Sequence, residues 1–191
     1  MIDAAVAKRI ALVVFDVDGT LTDNGVYIGD SNSANADERI ELKRFDIQDG
    51  LGIVMLRRAG IIVAFISARH SAATTLRATE LGVQHLRQGR GLKKVPVLRK
   101  LSEELGIPFE AIAFVGDDLA DIAAMQRVAI GAAPANAVPE VMAVAGVHLA
   151  RSGGRGAARE FAELLLHARG EWNSLVADYV AESAGAEAHA S

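Results

Sequence analysis

With 191 residues, a net charge of −4 and 51% apolar residues, the chain is sized for one domain with a real core and is not composed like a disordered protein. The mildly acidic balance gives no basic footprint for nucleic acid, although a local site can still be positive and take a small anion. The lack of cysteine excludes disulfides and thiol chemistry and fits a reducing compartment.

Lys8 and Arg9 precede the apolar run Ile10–Phe15, but Asp16 and Asp18 end that run too early for a signal peptide. No stretch approaches membrane-spanning length, so a soluble, cytoplasmic domain is expected. Ile10–Phe15, Ile61–Ile66, Ile112–Val115 and Val128–Ile130 are short, rich in β-branched residues, and read as buried parallel strands. Between them the apolar spacing predicts helices over Gly50–Arg58, Ser71–Leu81, Leu92–Leu105 and Leu119–Arg127, with Gly60, Gly82 and Gly106 at C-terminal cap positions. Pro96 is tolerable only in a first helical turn. This alternation predicts an α/β fold with a parallel sheet covered by helices. Val26–Ile28 and Arg39–Phe45 break the rhythm and read as a projecting β-hairpin (about residues 24–46) around a polar loop, Asp30–Glu38. The expected organisation is one domain over residues 1–170 and a partly disordered tail over 171–191, frayed beyond about Val180.

The chemistry gathers at predicted strand ends. The run Leu12-Val-Val-Phe-Asp16-Val-Asp18-Gly-Thr20 delivers Asp16 at the C-terminal end of a buried strand, the edge where open α/β sheets bind ligands. Residues two apart on extended chain face the same way, so Asp16 and Asp18 can aim at one site. Their repulsion calls for a cation or a shared proton, which suits a nucleophile, a general acid/base and a hard metal. A calcium loop does not fit, because Gly19 stands at position four rather than six. Ser67 and Arg69 follow the second strand, and could bind phosphoryl oxygens and clamp an anion or simply form a turn. Lys93 and Lys94 open the third helix, either as solvated charges or with one of them offsetting charge beside a nucleophile. The third strand ends in Gly116-Asp117-Asp118-Leu-Ala-Asp121, where Asp117 and Asp121 share a helical face and are either dipole complements or part of a metal site fed from separate elements.

Taken together and in this order, Asp16-Val-Asp18-Gly-Thr20, Ser67, Lys93 and Gly116-Asp117-Asp-Leu-Ala-Asp121 resemble the signature of the haloacid dehalogenase-like phosphatase superfamily. The resemblance implies a three-layer Rossmann-like fold and a phosphoric monoester hydrolase. It makes Asp16 the nucleophile and Asp18 the acid that protonates the leaving group and then activates water, with Ser67 and Lys93 holding the phosphoryl oxygens. It implies Mg2+ bound by Asp16, the Asp18 carbonyl and Asp117, with Asp121 orienting its neighbours.

The intervals Asp18–Ser67 and Lys93–Asp117 are too short to house a separate cap domain. An open site needs cover from elsewhere, and the hairpin and tail, acting across a subunit interface, are the available material. Over roughly Ile10–His167 the chain looks like the capless 3-deoxy-D-manno-octulosonate 8-phosphate phosphatases and their nonulosonate relatives, on Val26-Tyr-Ile-Gly29, Phe45-x-x-x-Asp49-Gly50, His85-Leu-x-Gln88-Gly89 and Gly153-Gly-Arg155-Gly-Ala157. That resemblance implies a homotetramer serving lipopolysaccharide or sialic-acid-type sugar biosynthesis, with Asp18, Asp49, Gly50, Arg69, Arg77 and Arg155 facing the sugar acid. The chain departs from the family pattern at Asp46-Ile-Gln48 and Val54, where basic groups are lost, and at Ser67-Ala-Arg69. The competing reading is a non-catalytic or weakly active partner domain of a sugar nucleotidyltransferase, against which the intact Asp16, Asp18, Lys93 and Asp117 weigh. A phosphomutase is disfavoured because it needs a cap to exclude water.

Overall fold

Helix α1 (Ala4–Arg9), capped by Asp3, leads into β1 (Leu12–Phe15), all four of whose residues are buried. A strand with no polar position has no solvent face and belongs inside a sheet covered on both sides. In chain order there follow the antiparallel pair β2 (Tyr27–Asp30) and β3 (Arg39–Leu42), then α2 (Ile47–Arg58), β4 (Ile62–Ser67), α3 (Ala72–Glu80), β5 (His85–Gln88) and α4 (Lys94–Leu105). The second half comprises β6 (Ile112–Val115), α5 (Leu119–Met125), β7 (Ile130–Ala133), α6 (Pro139–Val144), β8 (Val147–His148), α7 (Ala157–Arg169) and α8 (Trp172–Gly185). The computed structural model describes residues 2–30 and 39–185.

Six strands form one parallel sheet in the order β5-β4-β1-β6-β7-β8, and β2 and β3 pair separately. Period-2 alternation along β1 divides the core into two layers. Val13 and Phe15 pack with Ile53 and Leu56 of α2 and Phe161 and Leu165 of α7, while Leu12 and Val14 pack with Leu98 and Leu101 of α4 and Met125 of α5. Phe161 meets Phe15 edge-on, with ring centroids 6.2 Å apart. The three-layer α/β architecture agrees with the sequence expectation. From β1 the chain fills β4 and β5 on one side and then returns to build β6, β7 and β8 on the other. This reversal opens a crevice at the carboxyl end of β1, flanked by β4 and β6.

The differences from the sequence reading have local causes. Helix α2 starts at Ile47 rather than Gly50 because Asp46 caps it, accepting from the Gln48 and Asp49 N–H groups. The last predicted strand lies later, at Ile130–Ala133, where glycine and alanine carry no β-branched signal yet every residue is buried. The tail expected to fray beyond about Val180 continues as α8 to Gly185, seated by buried Trp172, by Arg58 stacked on Tyr179 at 5.0 Å, and by the Arg58–Glu182 ion pair at 2.7 Å. Most of the expected hairpin loop, 31–38, and the end of the tail, 186–191, lie outside the described residues.

Candidate active site

The strand that carries Asp16 ends by donating the Asp16 N–H to Val115 O on β6 at 2.9 Å, so the carboxylate emerges at the switch point. The chain then turns over Gly19, whose φ of +93° suits glycine. A Cβ at Gly19 would also lie 2.0 Å from Asp117 Oδ2, so this glycine lets the third-strand carboxylate close onto the first loop. Thr20 completes the closure by donating to Asp117 Oδ1 at 3.1 Å. Asp16, Asp18, Ser67 and Asp121 line one crevice of about 290 Å³ together with Arg69 and Lys94.

Both oxygens of Asp18 are engaged. Ser67 Oγ, at the end of β4, lies 3.1 Å from Oδ2, and Lys43 Nζ lies 2.5 Å from Oδ1. On the opposite side Lys94 Nζ, buried in the first turn of α4, sits 2.6 Å from Asp16 Oδ1 and also bonds Asp121 Oδ1. The second oxygen of Asp121 accepts from the N–H groups of Asp117 and Asp118 at 3.1 and 3.2 Å. Asp121 thereby holds Lys94 and the β6–α5 loop.

Ligand atoms of Asp16, Asp117 and Asp121 lie within 4.8 Å of one another, and all three residues are buried. Burial pushes the Asp16 carboxyl well above its ordinary range, with Asp121 and Asp117 adding to the rise and Lys94 opposing it. Burial, then Asp121, push Asp117 up from 3.8 to about 6. Burial alone would lower Lys94, but Asp16 and Asp121 outweigh it and raise it above the usual value. Three buried carboxylates against one ammonium leave uncompensated negative charge, and the hard oxygen donors suit a divalent cation held between Asp16 and Asp117.

Comparison with known proteins identifies relatives of the chain. The sequence profile of the haloacid dehalogenase-like hydrolases matches residues 89–157. The 3-deoxy-D-manno-octulosonate 8-phosphate phosphatase of Escherichia coli is 38% identical over 167 residues, spanning 87% of this chain and 85% of that protein. The chain belongs to the haloacid dehalogenase-like phosphatases. As a member it is a phosphoric monoester hydrolase, and among the described residues no cap domain interrupts the sheet-and-helix alternation. The Moraxella catarrhalis 3-deoxy-D-manno-octulosonate 8-phosphate phosphatase, solved with a magnesium ion, a phosphate ion and a KDO molecule, matches with a TM-score of 0.84 at 36% identity, covering 92% of this chain and 97% of that one. The cobalt-bound form of the Haemophilus influenzae deoxy-D-mannose-octulosonate 8-phosphate phosphatase matches with a TM-score of 0.77 at 33% identity, covering 86% and 92%.

Within this haloacid dehalogenase-like phosphatase one expected residue must be corrected. Lys93 is the exposed N-cap residue of α4, and it is Lys94 that reaches Asp16. The buried face of α4 runs Lys94, Leu98, Leu101, at helical spacing, and Lys93 is off that face. The leucine stripe was present in the sequence and, followed back one turn, points to Lys94. Lys43 was not anticipated at all, because no local pattern ties a hairpin lysine to a carboxylate 25 residues earlier.

Four residues expected to face substrate, Asp49, Gly50, Arg77 and Arg155, do not line the crevice. Asp49 is buried under α7, where it accepts from the Gly156 N–H at 3.2 Å and the Arg159 N–H at 2.8 Å. Arg77 donates to the Asp46 carbonyl at 2.8 Å, pairs with Glu80 at 2.9 Å, and lies over the Phe45 ring. Gly50 leaves room for that guanidinium, since a Cβ there would lie 2.5 Å from Arg77 Nη2. Together these residues bind α2 to α3 and α7. Arg155 is exposed, 4.0 Å from Asp23, while its neighbours Gly153 and Gly154 pack against the backbone of Gly19 and Thr22. Asn136 bridges the two segments, accepting from the Gly153 N–H and donating to Gly19 O at 2.8 Å. Within the chain, then, the glycine segment braces the loop that carries Asp18. Arg69 does reach the crevice, with its Nε 3.1 Å from Glu41 Oε2.

Two predictions arise here. Asp49→Ala strands the two N–H groups at the start of α7, and is expected to cost about 3 kcal/mol of stability in urea titration. The substrate KM should stay within about twofold; a large KM effect at unchanged stability would return Asp49 to the substrate site.

The second concerns pH. A carboxyl whose pKa rises on folding stabilises fully below its unfolded value, and that contribution is lost as pH rises to the folded value. For Asp117 the window runs from about 4 to about 6. The metal-free protein is expected to lose stability across that window, and magnesium, which favours the charged carboxylates, to raise Tm more at about pH 7.5 than at about pH 5. An equal gain at both pH values would count against a carboxylate metal site.

Proposed function

We propose that the protein hydrolyses the phosphate ester of an eight- or nine-carbon sugar acid, 3-deoxy-D-manno-octulosonate 8-phosphate or a related nonulosonate 9-phosphate, through an aspartyl-phosphate on Asp16. The observation that carries this reading is the pairing in one crevice of a buried carboxylate held by Lys94 with a second carboxylate, Asp18, held separately across from it. Two carboxyl groups in such different surroundings can divide the work of nucleophile and acid.

In the first step an Asp16 oxygen attacks phosphorus, the bond from phosphorus to the sugar oxygen breaks, and that oxygen takes its proton from the Asp18 carboxyl. In the second step the Asp18 carboxylate takes a proton from water as the water attacks phosphorus. The bond from phosphorus to the Asp16 oxygen breaks, giving inorganic phosphate and restoring both side chains. Ser67 and Lys94 place hydrogen-bond donors toward the phosphoryl oxygens, with Lys94 in the role first assigned to Lys93. Asp16, Asp117 and the Asp18 carbonyl would hold a magnesium ion, which supplies charge neutralisation for the nucleophile and the transferring group.

The substrate assignment is supported by the relatives named above and by the space beside the crevice. A further cavity of about 460 Å³ adjoins it at Ala68 and Arg69 and also carries His70 and Arg90, cationic or protonatable groups suited to a carboxylate. Tyr27, Ile28, Ile40 and Leu42 of the hairpin are exposed, an apolar surface suited to burial against other copies of the chain in a homotetramer. No helix among the described residues is long and apolar enough to cross a membrane, and the proposed site of action is the cytoplasm.

The experiment that tests the reading is phosphate release with magnesium from a panel of sugar phosphates. Turnover of an eight- or nine-carbon keto-acid phosphate well above hexose and pentose phosphates is expected. Turnover of unrelated phosphates alone would keep the mechanism and discard the substrate, and release from none would leave a non-catalytic partner domain.

A further inference from the structure

We propose that Lys43 is a positioning residue of the phosphatase reaction, fixing the carboxyl of Asp18 toward the leaving oxygen. The inference rests on the reading of Asp18 as the acid and goes beyond it by assigning what aims that acid.

The side chain of Asp18 hangs from a loop and is part-exposed, so by itself it would turn among rotamers. It is held at both ends instead, by Lys43 at Oδ1 and by Ser67 at Oδ2. Ser67 sits at the end of a core strand and is rigid for that reason. Lys43 needs other anchors, and the hairpin supplies them. Two residues after it, Phe45 bridges Thr22 in the loop that carries Asp18, tying the base of the hairpin to that loop. Two residues before it, Glu41 bonds Arg69 through Oε2 and faces Lys43 Nζ at 3.7 Å through Oε1. Oε1 is buried and accepts no hydrogen bond from the described residues, and the Lys43 ammonium offsets its charge.

The Lys43 side chain has no exposed surface, although the residue lies outside the sheet-and-helix core. An ammonium withdrawn from water is costly unless it is paired, and its pairing partners are Asp18 and Glu41. A lysine serving only to keep the hairpin soluble would point outward. The hairpin thus does more than cover the site, because it inserts one cation behind the acid. The line Arg69–Glu41–Lys43–Asp18 also links the arginine at the mouth of the crevice to the reacting group.

The test separates aiming the acid from merely stabilising the protein. Benzyl phosphate and p-nitrophenyl phosphate have similar bulk and no sugar groups for Lys43 to touch. The benzyl oxygen needs a proton to leave and p-nitrophenolate does not. In the full-length, magnesium-loaded protein, Lys43→Met is expected to lower kcat/KM for benzyl phosphate about 30- to 100-fold and for p-nitrophenyl phosphate by less than about threefold. Lys43→Arg, which keeps the charge and its donors, is expected to recover most of the benzyl loss and guards against a misfolded methionine variant. Equal losses on both esters, or a benzyl rate unaffected by Lys43→Met, would overturn the inference while leaving the phosphatase reading in place. Absence of magnesium-dependent release from both esters and from all sugar phosphates by the wild type would overturn that reading, and this inference with it.

Discussion

Asp16→Asn is expected to lower magnesium-dependent phosphate release by at least about 10³-fold while leaving the protein folded. Asparagine has the same shape but offers no anionic oxygen to attack phosphorus, so the loss is one of chemistry rather than packing. The fold should hold because the Lys94 ammonium keeps its bond to Asp121 when Asp16 loses its charge. Removing one of three mutually repelling buried carboxylates is also expected to leave the metal-free Tm unchanged or higher, since burial and like charge already oppose ionisation at Asp16. The covalent step can be read directly. Acid quenching of the wild type during turnover should add the mass of one phosphoryl group to the peptide containing Asp16, and the variant should show none. A variant that keeps more than a tenth of the wild-type rate would sink the assignment of Asp16 as nucleophile.

The second large effect separates two adjacent lysines. Lys94→Ala is expected to reduce kcat/KM about 10²- to 10³-fold and to destabilise the protein by about 3–5 kcal/mol, the cost of leaving buried carboxylates without their cation. Lys93→Ala, at an exposed helix cap with no side-chain cap bond, is expected to stay within about twofold in rate and 0.5 kcal/mol in stability. Raising magnesium should offset part of the Lys94→Ala loss in stability, because a second cation can occupy the same carboxylate cluster. Comparable losses in the two variants would mean that Lys94 acts through helix packing alone.

The fold and most of the site were legible in the sequence because their signals are local. Asp16 and Asp117 each follow an apolar run of strand length, and those runs became the adjacent central strands β1 and β6. Ser67 and Arg69 followed β4 for the same reason. Gly106, predicted as a helix stop, caps α4 with a φ of +65°. What could not be read lacked such periodicity. Strand β5, His85-Leu-Arg-Gln88, is only partly buried and polar at three of four positions, so no hydrophobic pattern marks it. The end of the last helix beyond Val180 reads as frayed because alanine and glutamate are common to helices and tails, and what seats it is a distant arginine on α2.

The sequence by itself determined the sheet of buried strands, the edge on which the carboxylates gather, and the pairing of Asp16 with Asp18, since each follows from neighbouring residues and the periods of helix and strand. Only the tertiary structure decided that Asp49 holds the start of α7, that Gly50 and Arg77 join α2 to α3 rather than line the crevice, and that Lys43 lies against Asp18. The physical reason is common to all three. Each depends on which face of one element packs against another, and rotation by a single helical residue or closure of a hairpin over a loop is set by long-range burial and charge pairing that no short stretch of chain encodes.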